Sequence, residues 1–298
     1  MSDTSPLGTV CFAGLGRMGI PMASNLARAG VEVTGHDLAP AARAAAAEAG
    51  LTVRDDPAAA AADAQAVIAM LPNGAIVREA LLGQGGLLSA AKPPEVVIDM
   101  SSSAPGDTVA LGKELSARGI ALIDAPVSGG RRKAVDGTLT IMVGGDAAVA
   151  ERARPLFEAM GERIFSCGPL GAGHAMKALN NYVSGAGAVA AMEAVILGRD
   201  FGLDPEAMVD ILNVSTGRNN TTDAKMKQFV LSRSWGSGFG LALMAKDIGI
   251  AADLARERGV PARLLPQTAD LWARAAEALE DGADHTEIFR YLEAGEER

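Results

Sequence analysis

The chain has 298 residues, enough for one large domain or two ordinary ones around a substantial core. Its 27 basic and 36 acidic side chains give a formal charge of −9, which argues against nucleic acid or an anionic membrane as a partner. The two cysteines, Cys11 and Cys167, form neither a C-x-x-C nor a metal-ligand pattern; no metal is expected, and Cys11, inside an apolar run, reads as a small buried hydrophobe.

Met1–Gly8 lacks a basic n-region, and Val10–Phe12 is too short for a signal core. No apolar stretch reaches membrane-spanning length without a polar interruption, so a soluble protein of a reducing, cytoplasmic compartment is expected. Thr9–Ala13 is a short apolar run that reads as a buried strand. It meets Gly14-Leu15-Gly16-Arg17-Met18-Gly19, and Ile20–Ala29 then reads as a helix closed by Gly30. Strand, G-x-G-x-x-G and helix in that order is the context of a dinucleotide-binding turn. Gly14 makes the turn, Gly16 lets a pyrophosphate approach the backbone, and Gly19 lets helix and strand pack closely.

A second strand, Val31–Gly35, ends at His36-Asp37-Leu38. Asp37 lies where an acidic side chain accepts hydrogen bonds from the adenosine ribose. A carboxylate there repels a 2′-phosphate and Leu38 offers no cation, so NAD is favoured over NADP; the other reading is that Asp37 caps the next helix. His36 reads as a strand-end side chain. The alternation continues: helix Ala41–Ala49, strand Thr52-Val53, a helix starting over Pro57–Ala62, strand Ala66–Leu71, helix Ala75–Leu82, strand Val96–Met100, helix Gly106–Arg118 and strand Ala121–Asp124. Strand Thr138–Val143, helix Ala147–Met160 and strand Arg163–Phe165 close the series. Repeated βα units of this length predict a parallel, doubly wound Rossmann-type sheet. Ligands bind at the carboxyl ends of such strands, so the turns at Gly14–Gly19, Leu71-Pro72, Ser101-Ser102 and Ala125–Gly130 are expected to line one crevice. Within Pro126–Gly130, small residues and the Ser128 hydroxyl could hold a carboxylate, or form a plain Gly-Gly turn.

After Phe165 the rhythm stops. Gly171–Asn181 reads G-A-G-H-A-M-K-A-L-N-N, turning on a glycine pair into a long helix that carries Lys177 and, one turn later, Asn181. The i, i+4 spacing puts an ammonium and a carboxamide on one helical face. A lysine facing a closed cleft can lose its proton near neutral pH and serve as an acid/base. The same spacing is also common on solvated helix faces. Lys177–Gly198 is apolar or small almost all round, with Val183, Val189, Ile196 and Leu197, which predicts a buried central post between two halves or two subunits. Pro205–Leu212, Thr222–Leu231, Leu241–Arg258, Pro266–Ala278 and Thr286–Glu293 read as further helices. The expected organisation is an α/β Rossmann domain over residues 1–167 and an all-α domain over 168–298 with a long central helix. Lys246-Asp247 lies in the helix from Leu241; at i, i+1 the two do not share a face, so Lys246 is expected to face a cleft, or to snorkel, with Asp247 pointing elsewhere. The loop Ser215–Asn220 reads either as a helix cap or as a substrate contact.

With these residues in place, the chain resembles the β-hydroxyacid dehydrogenase family, whose members include 3-hydroxyisobutyrate dehydrogenase and tartronate semialdehyde reductase and which shares its nucleotide domain with 6-phosphogluconate dehydrogenase. The resemblance rests on Gly14–Gly19 with Pro21–Leu26, Met70–Asn73, Asp99–Ser102, Asp124–Gly130, Gly171-x-Gly173-x-x-x-Lys177-x-x-x-Asn181 and Lys246-Asp247, in that order. It implies Lys177 as catalytic lysine with Asn181 as its companion, and Ser128, Gly129 and Gly130 as the holders of a substrate carboxylate. It implies Leu71, Pro72, Ser102 and Lys246 as cofactor contacts beside Gly14, Leu15, Gly16, Arg17, Met18, Gly19 and Asp37. The implied activity is reversible oxidation of a short β-hydroxy acid by NAD(P) in a homodimer or homotetramer. Arg131-Arg132, after the glycine pair, replace the acidic or small residues of many relatives; they face solvent or favour a more acidic substrate. A non-catalytic NAD-binding module is the alternative of another class.

Overall fold

The computed structural model describes residues 7–295, so the reading of Met1–Gly8 falls almost wholly outside the described residues. Residue contacts divide the chain into two compact units, Met1–Lys177 and Ala178–Arg298. The first opens with β1 (Thr9–Ala13), α1 (Gly19–Arg28), β2 (Glu32–His36), α2 (Pro40–Glu48), β3 (Thr52–Val53), α3 (Pro57–Ala61) and β4 (Ala66–Ala69). Then come α4 (Gly74–Leu82), β5 (Val96–Asp99), α5 (Pro105–Ser116), β6 (Ala121–Asp124), β7 (Val127–Ser128), α6 (Gly130–Asp136), β8 (Leu139–Gly144), α7 (Ala147–Met160) and β9 (Gly161–Gly168).

The strands form one sheet in the order β3-β2-β1-β4-β5-β6-β8-β7, with β9 on β8. Strands β1–β6 are parallel. Both faces are covered: Val10, Phe12, Ile68 and Ile98 pack to one side, and Cys11, Ala13, Val67, Ala69 and Val97 to the other. Such strands read as continuous apolar runs, which is how β1, β4 and β5 look in the sequence. Cys11 is buried, and burial pushes its thiol pKa up to about 12.

The sheet departs from the fully parallel expectation at its far side. β8 runs antiparallel to both β6 and β7, through Asp124↔Gly144, Val127↔Ile141 and Ser128↔Thr140, and β9 is parallel to β8. β7 continues the direction of β6, so the pair forms one arm of a hairpin closed by α6. A parallel neighbour would need a crossover that carries the chain back along the sheet. The seven-residue α6 only turns it around. The stretch Ala125–Gly130 is therefore a short strand running into a helix rather than a simple turn.

α8 (Ala172–Phe201) is 30 residues long, and the division between the units falls within it, after Lys177. The second unit continues with α9 (Pro205–Val214), α10 (Asn220–Ala224), α11 (Leu241–Glu257), α12 (Leu264–Ala278) and α13 (Ile288–Ala294). Its core gathers Ala188, Met192 and Val195 of α8 with Ile248, Trp272 and Phe289. The expected helix Thr222–Leu231 is broken: α10 ends at Ala224, and Met226–Leu231 is a wider π-helical turn. Burial of α8 is also one-sided in the single chain, with Val183 68% and Leu197 70% exposed. No helix among the described residues is long and apolar enough to cross a membrane.

Candidate active site

β1, β4, β5 and β6 are neighbours in the sheet and all parallel, so the turns after them emerge along one edge. That edge carries Gly14–Gly19, Leu71-Pro72, Ser101-Ser102 and the stretch from Ala125. The glycine turn fits the close approach of a dinucleotide. At Gly14, with φ +98°, a Cβ would lie 2.3 Å from the Met70 carbonyl oxygen, and at Gly19 it would lie 1.8 Å from that of Gly14. These two glycines close the turn against the protein. At Gly16, between them, a Cβ would meet nothing within 4 Å, which leaves the outer side of the turn open. α1 then directs its N-terminal N–H groups and positive dipole end toward the turn, a geometry suited to phosphate. Arg17 is exposed, Met18 half-buried and Leu15 buried.

Asp37, just past β2, does two things at once. Its Oδ2 accepts from the Leu15 N–H at 2.8 Å, fixing the glycine turn, and its Oδ1 accepts from the Ala39 N–H at 2.8 Å, shaping the entry to α2. Asp37 thus holds the glycine turn and the chain entering α2, whose N-cap residue is Ala39. One neighbour was overlooked in the sequence: Arg43 Nη1 donates to the carbonyls of Asp37 at 2.7 Å and Leu38 at 3.0 Å. Leu71 N–H donates to Ser101 Oγ at 2.9 Å, joining two of the four turns.

Ser128 is half-buried at the end of β7, followed by Gly129 at φ +133° and Gly130 at φ +66°. Both lie in the left-handed region that favours glycine, which explains the pair. Arg132, one turn into α6, is 94% exposed and 4.0 Å from Asp136; Arg131 is exposed as well.

The start of α8 is held by a carboxylate distant in sequence. Asp124, at the end of β6, accepts from Gly171 N–H through Oδ1 at 2.7 Å and from His174 N–H through Oδ2 at 2.8 Å. A charged cap at a helix N-terminus satisfies free N–H groups and opposes the macrodipole. The glycine spacing follows from this packing: a Cβ on Gly173 would lie 2.2 Å from the Met142 carbonyl oxygen and 2.9 Å from Asp124 Oδ2. Lys177 lies one turn further on, 9% exposed.

In the second unit, Asn181 is 5% exposed and donates through Nδ2 to Asp247 Oδ2 at 2.6 Å. Its Oδ1 accepts from Asn180 Nδ2 at 3.0 Å. Asp247 Oδ1 lies 3.2 Å from Lys246 Nζ. Asp247 thus does not point away from its neighbour: the long lysine chain curls back over α11, and one buried carboxylate holds both Asn181 and Lys246. Spacing at i, i+1 sets only where each Cβ points, and the lysine side chain is long enough to turn back onto Asp247. In the loop Ser215–Asn220, Asn219 caps α10: it accepts from Thr221 and Thr222 N–H, and Thr222 Oγ1 accepts from Asn219 N–H. Among the described residues, no group of three or more His, Cys, Asp or Glu is placed to hold a metal ion.

Residues 9–168 match the family model described as the NAD-binding domain of 6-phosphogluconate dehydrogenase. Residues 171–292 match that described as NAD-binding of NADP-dependent 3-hydroxyisobutyrate dehydrogenase. The chain is 42% identical to 2-(hydroxymethyl)glutarate dehydrogenase of Eubacterium barkeri, over 87% of this chain and 85% of that one. It is 40% identical to the NAD-dependent L-serine dehydrogenase of Pseudomonas aeruginosa, over 83% and 85%. Among solved structures, 3-hydroxyisobutyrate dehydrogenase of Mycobacterium tuberculosis with L-serine superposes with a TM-score of 0.86 at 36% identity, covering 96% of this chain and 99% of that one. The chain belongs to the β-hydroxyacid dehydrogenase family and is an NAD(P)-dependent oxidoreductase acting on the CH–OH group of hydroxy acids.

Proposed function

We propose that the enzyme oxidises 3-hydroxy acids of the form HO–CH2–CHR–COO⁻, with NAD as its preferred partner. The relatives' substrates carry the argument: 3-hydroxyisobutyrate, L-serine and 2-(hydroxymethyl)glutarate share this skeleton and differ only in R, a methyl, an ammonium or a propionate arm. The common part needs one carboxylate holder and one acid/base. We assign the first to Ser128, at the end of β7, with Gly129 and Gly130, which take the left-handed conformation, and the second to Lys177. Lys177 takes the hydroxyl proton during oxidation and returns it to the carbonyl oxygen during reduction. Asn181, its amide turned by Asp247, orients the hydroxyl. The nicotinamide, when bound, supplies hydride transfer to and from the carbinol carbon.

Gly14–Gly19, Asp37, Leu71, Pro72, Ser102 and Lys246 are the cofactor contacts in this reading, with residues 1–167 as nucleotide domain and 168–298 as substrate and assembly domain. NAD is preferred because the Asp37 carboxylate would repel a 2′-phosphate, while Arg43 is engaged by backbone carbonyls. The open apolar side of α8 and α9, with Val183, Leu197, Phe201, Ile211 and Val214 exposed, supports a homodimer or homotetramer. Two free thiols, Cys11 and Cys167, support a cytoplasmic setting.

A more acidic substrate is the second reading, favoured by the Eubacterium barkeri relative and by Arg131-Arg132. Steady-state rates with 3-hydroxyisobutyrate, L-serine, 2-(hydroxymethyl)glutarate and glycerate, with NAD and NADP, and of tartronate semialdehyde reduction with NADH and NADPH, test both. The first reading expects NAD-dependent turnover with a neutral R group favoured. A strong preference for the dianion, lost in Arg131→Ala, replaces it with the second. Absence of turnover on every 3-hydroxy acid refutes both.

A further inference from the structure

His174 takes no part in the chemistry above, yet it is almost fully enclosed and every polar atom of its backbone N–H and ring has a partner. Its N–H donates to Asp124 Oδ2 at 2.8 Å, its Nε2 lies 3.1 Å from the Ser101 carbonyl oxygen, and its Nδ1 lies 2.8 Å from Thr108 Oγ1. A carbonyl oxygen only accepts, so Nε2 carries a proton. Two buried carboxylates flank the ring at 3.8 Å each, Asp99 Oδ2 toward Nε2 and Asp124 Oδ2 toward Nδ1. Asp99 is itself fixed by Ser101 N–H at 2.9 Å and Ser103 Oγ at 2.8 Å.

These bonds form a continuous chain. Leu71 N–H reaches Ser101 Oγ, the Ser101 carbonyl reaches His174 Nε2, and the His174 backbone shares Asp124 with Gly171. The Leu71-Pro72 and Ser101-Ser102 turns are thereby tied to the first turn of α8. His174 and Lys177 are three residues apart, so they lie one turn apart on adjacent faces of the same helix. We propose that His174 is a positioning residue for Lys177: its ring pins the first turn of α8 to the Ser101 carbonyl after β5 and to Thr108 of α5, beyond the backbone bonds to Asp124 that any residue there would make, and so fixes where the lysine amine stands. The proposal rests on the reading of Lys177 as the acid/base. Loss of the ring bonds frees the turn to shift, and a displacement of about 1 Å at a reacting group can cost about 10²-fold in rate.

The test compares His174→Leu, which fills the space without hydrogen bonds, with His174→Gln, whose side-chain amide can still donate to the Ser101 carbonyl. Lys177→Ala is measured alongside. The expected result is a His174→Leu enzyme that binds NAD within about 3-fold of wild type and keeps substrate KM within a few-fold, while kcat falls about 10–100-fold. The primary deuterium isotope effect on kcat rises because chemistry becomes slower, and His174→Gln recovers most of the loss. A purely architectural histidine would lower Tm and leave kcat per folded molecule unchanged. That outcome overturns the proposal, as does a Gln variant no better than Leu. If His174→Leu fails to fold, Thr108→Val removes the Nδ1 partner and is expected to lower kcat by about 3–10-fold without changing NAD affinity; an unchanged kcat there counts against the proposal. Full activity in Lys177→Ala refutes the reading of the lysine, whereas an inactive Lys177→Ala with a normal His174→Leu refutes the positioning role alone.

Discussion

Replacing Asp247 by asparagine keeps the side-chain shape and removes the charge that holds Asn181 and Lys246. The 2.6 Å bond from Asn181 Nδ2 is charge-assisted and buried, and such bonds contribute about 1.5–3 kcal/mol. The Lys246 contact involves an amine with 27% of its side chain exposed, so solvent screening limits it to about 0–1 kcal/mol. The sum is about 1.5–4 kcal/mol, and at about 2–4 °C per kcal/mol Tm should fall by roughly 3–16 °C in a thermal melt. The catalytic effect is separate. The asparagine oxygen can still accept from Asn181, but without the charge it holds the amide less firmly, and losing about 1.4 kcal/mol of orientation in the transition state lowers kcat about tenfold. Steady-state kinetics of Asp247→Asn should therefore show a lower kcat, with NAD affinity reduced less than tenfold. A variant that melts and turns over like wild type would refute the idea that this carboxylate orients the amide.

Gly19→Ala places a Cβ where the Gly14 carbonyl oxygen already stands, 1.8 Å away, so strand β1 and helix α1 must separate. NAD binding should weaken at least about tenfold by fluorescence titration, while Gly16→Ala, with nothing near its Cβ, should leave Tm unchanged and affect only cofactor affinity. Asp37→Asn removes the charge that disfavours a 2′-phosphate beside Arg43, and the ratio of kcat/KM for NAD over NADP should fall by about tenfold or more. In the helical unit, burial raises the carboxyl pKa of Asp284, but hydrogen bonds from His285, Thr286 and Ser237 outweigh it and hold the group well below its ordinary value. A depressed carboxyl stabilises the fold above its unfolded pKa, 3.8, and that contribution is lost as pH falls through the folded value. Tm should therefore drop below about pH 4, and less steeply in Asp284→Asn.

Most elements of the nucleotide unit were legible because each is a local pattern: an apolar run buried on both faces, a turn signal, an amphipathic helix. The Gly14–Gly19 turn and the Lys177–Asn181 spacing were legible for the same reason. What was hidden depends on residues far apart in the chain. The reversal of β8 follows from its pairing with β7 through a short helix, and nothing in the apolar run Leu139–Val143 encodes direction. Asp124 capping α8 from 47 and 50 residues away leaves no periodic trace, although an acidic residue at the carboxyl end of a buried strand is itself a signal. Asp247 was visible as a motif partner of Lys246, but its bond to Asn181 spans 66 residues. The π-helical turn at Met226–Leu231 interrupts an apolar pattern that reads as an ordinary helix.

The central claim is that Lys177 moves the substrate proton. The most direct measurement is the single-turnover rate of NAD reduction by wild type and Lys177→Ala, each saturated with cofactor and with the best 3-hydroxy acid from the panel. NAD affinity should be unchanged and the rate lower by about 10²–10⁴ in the variant. A rate within a few-fold of wild type would contradict it and move the acid/base role to another group.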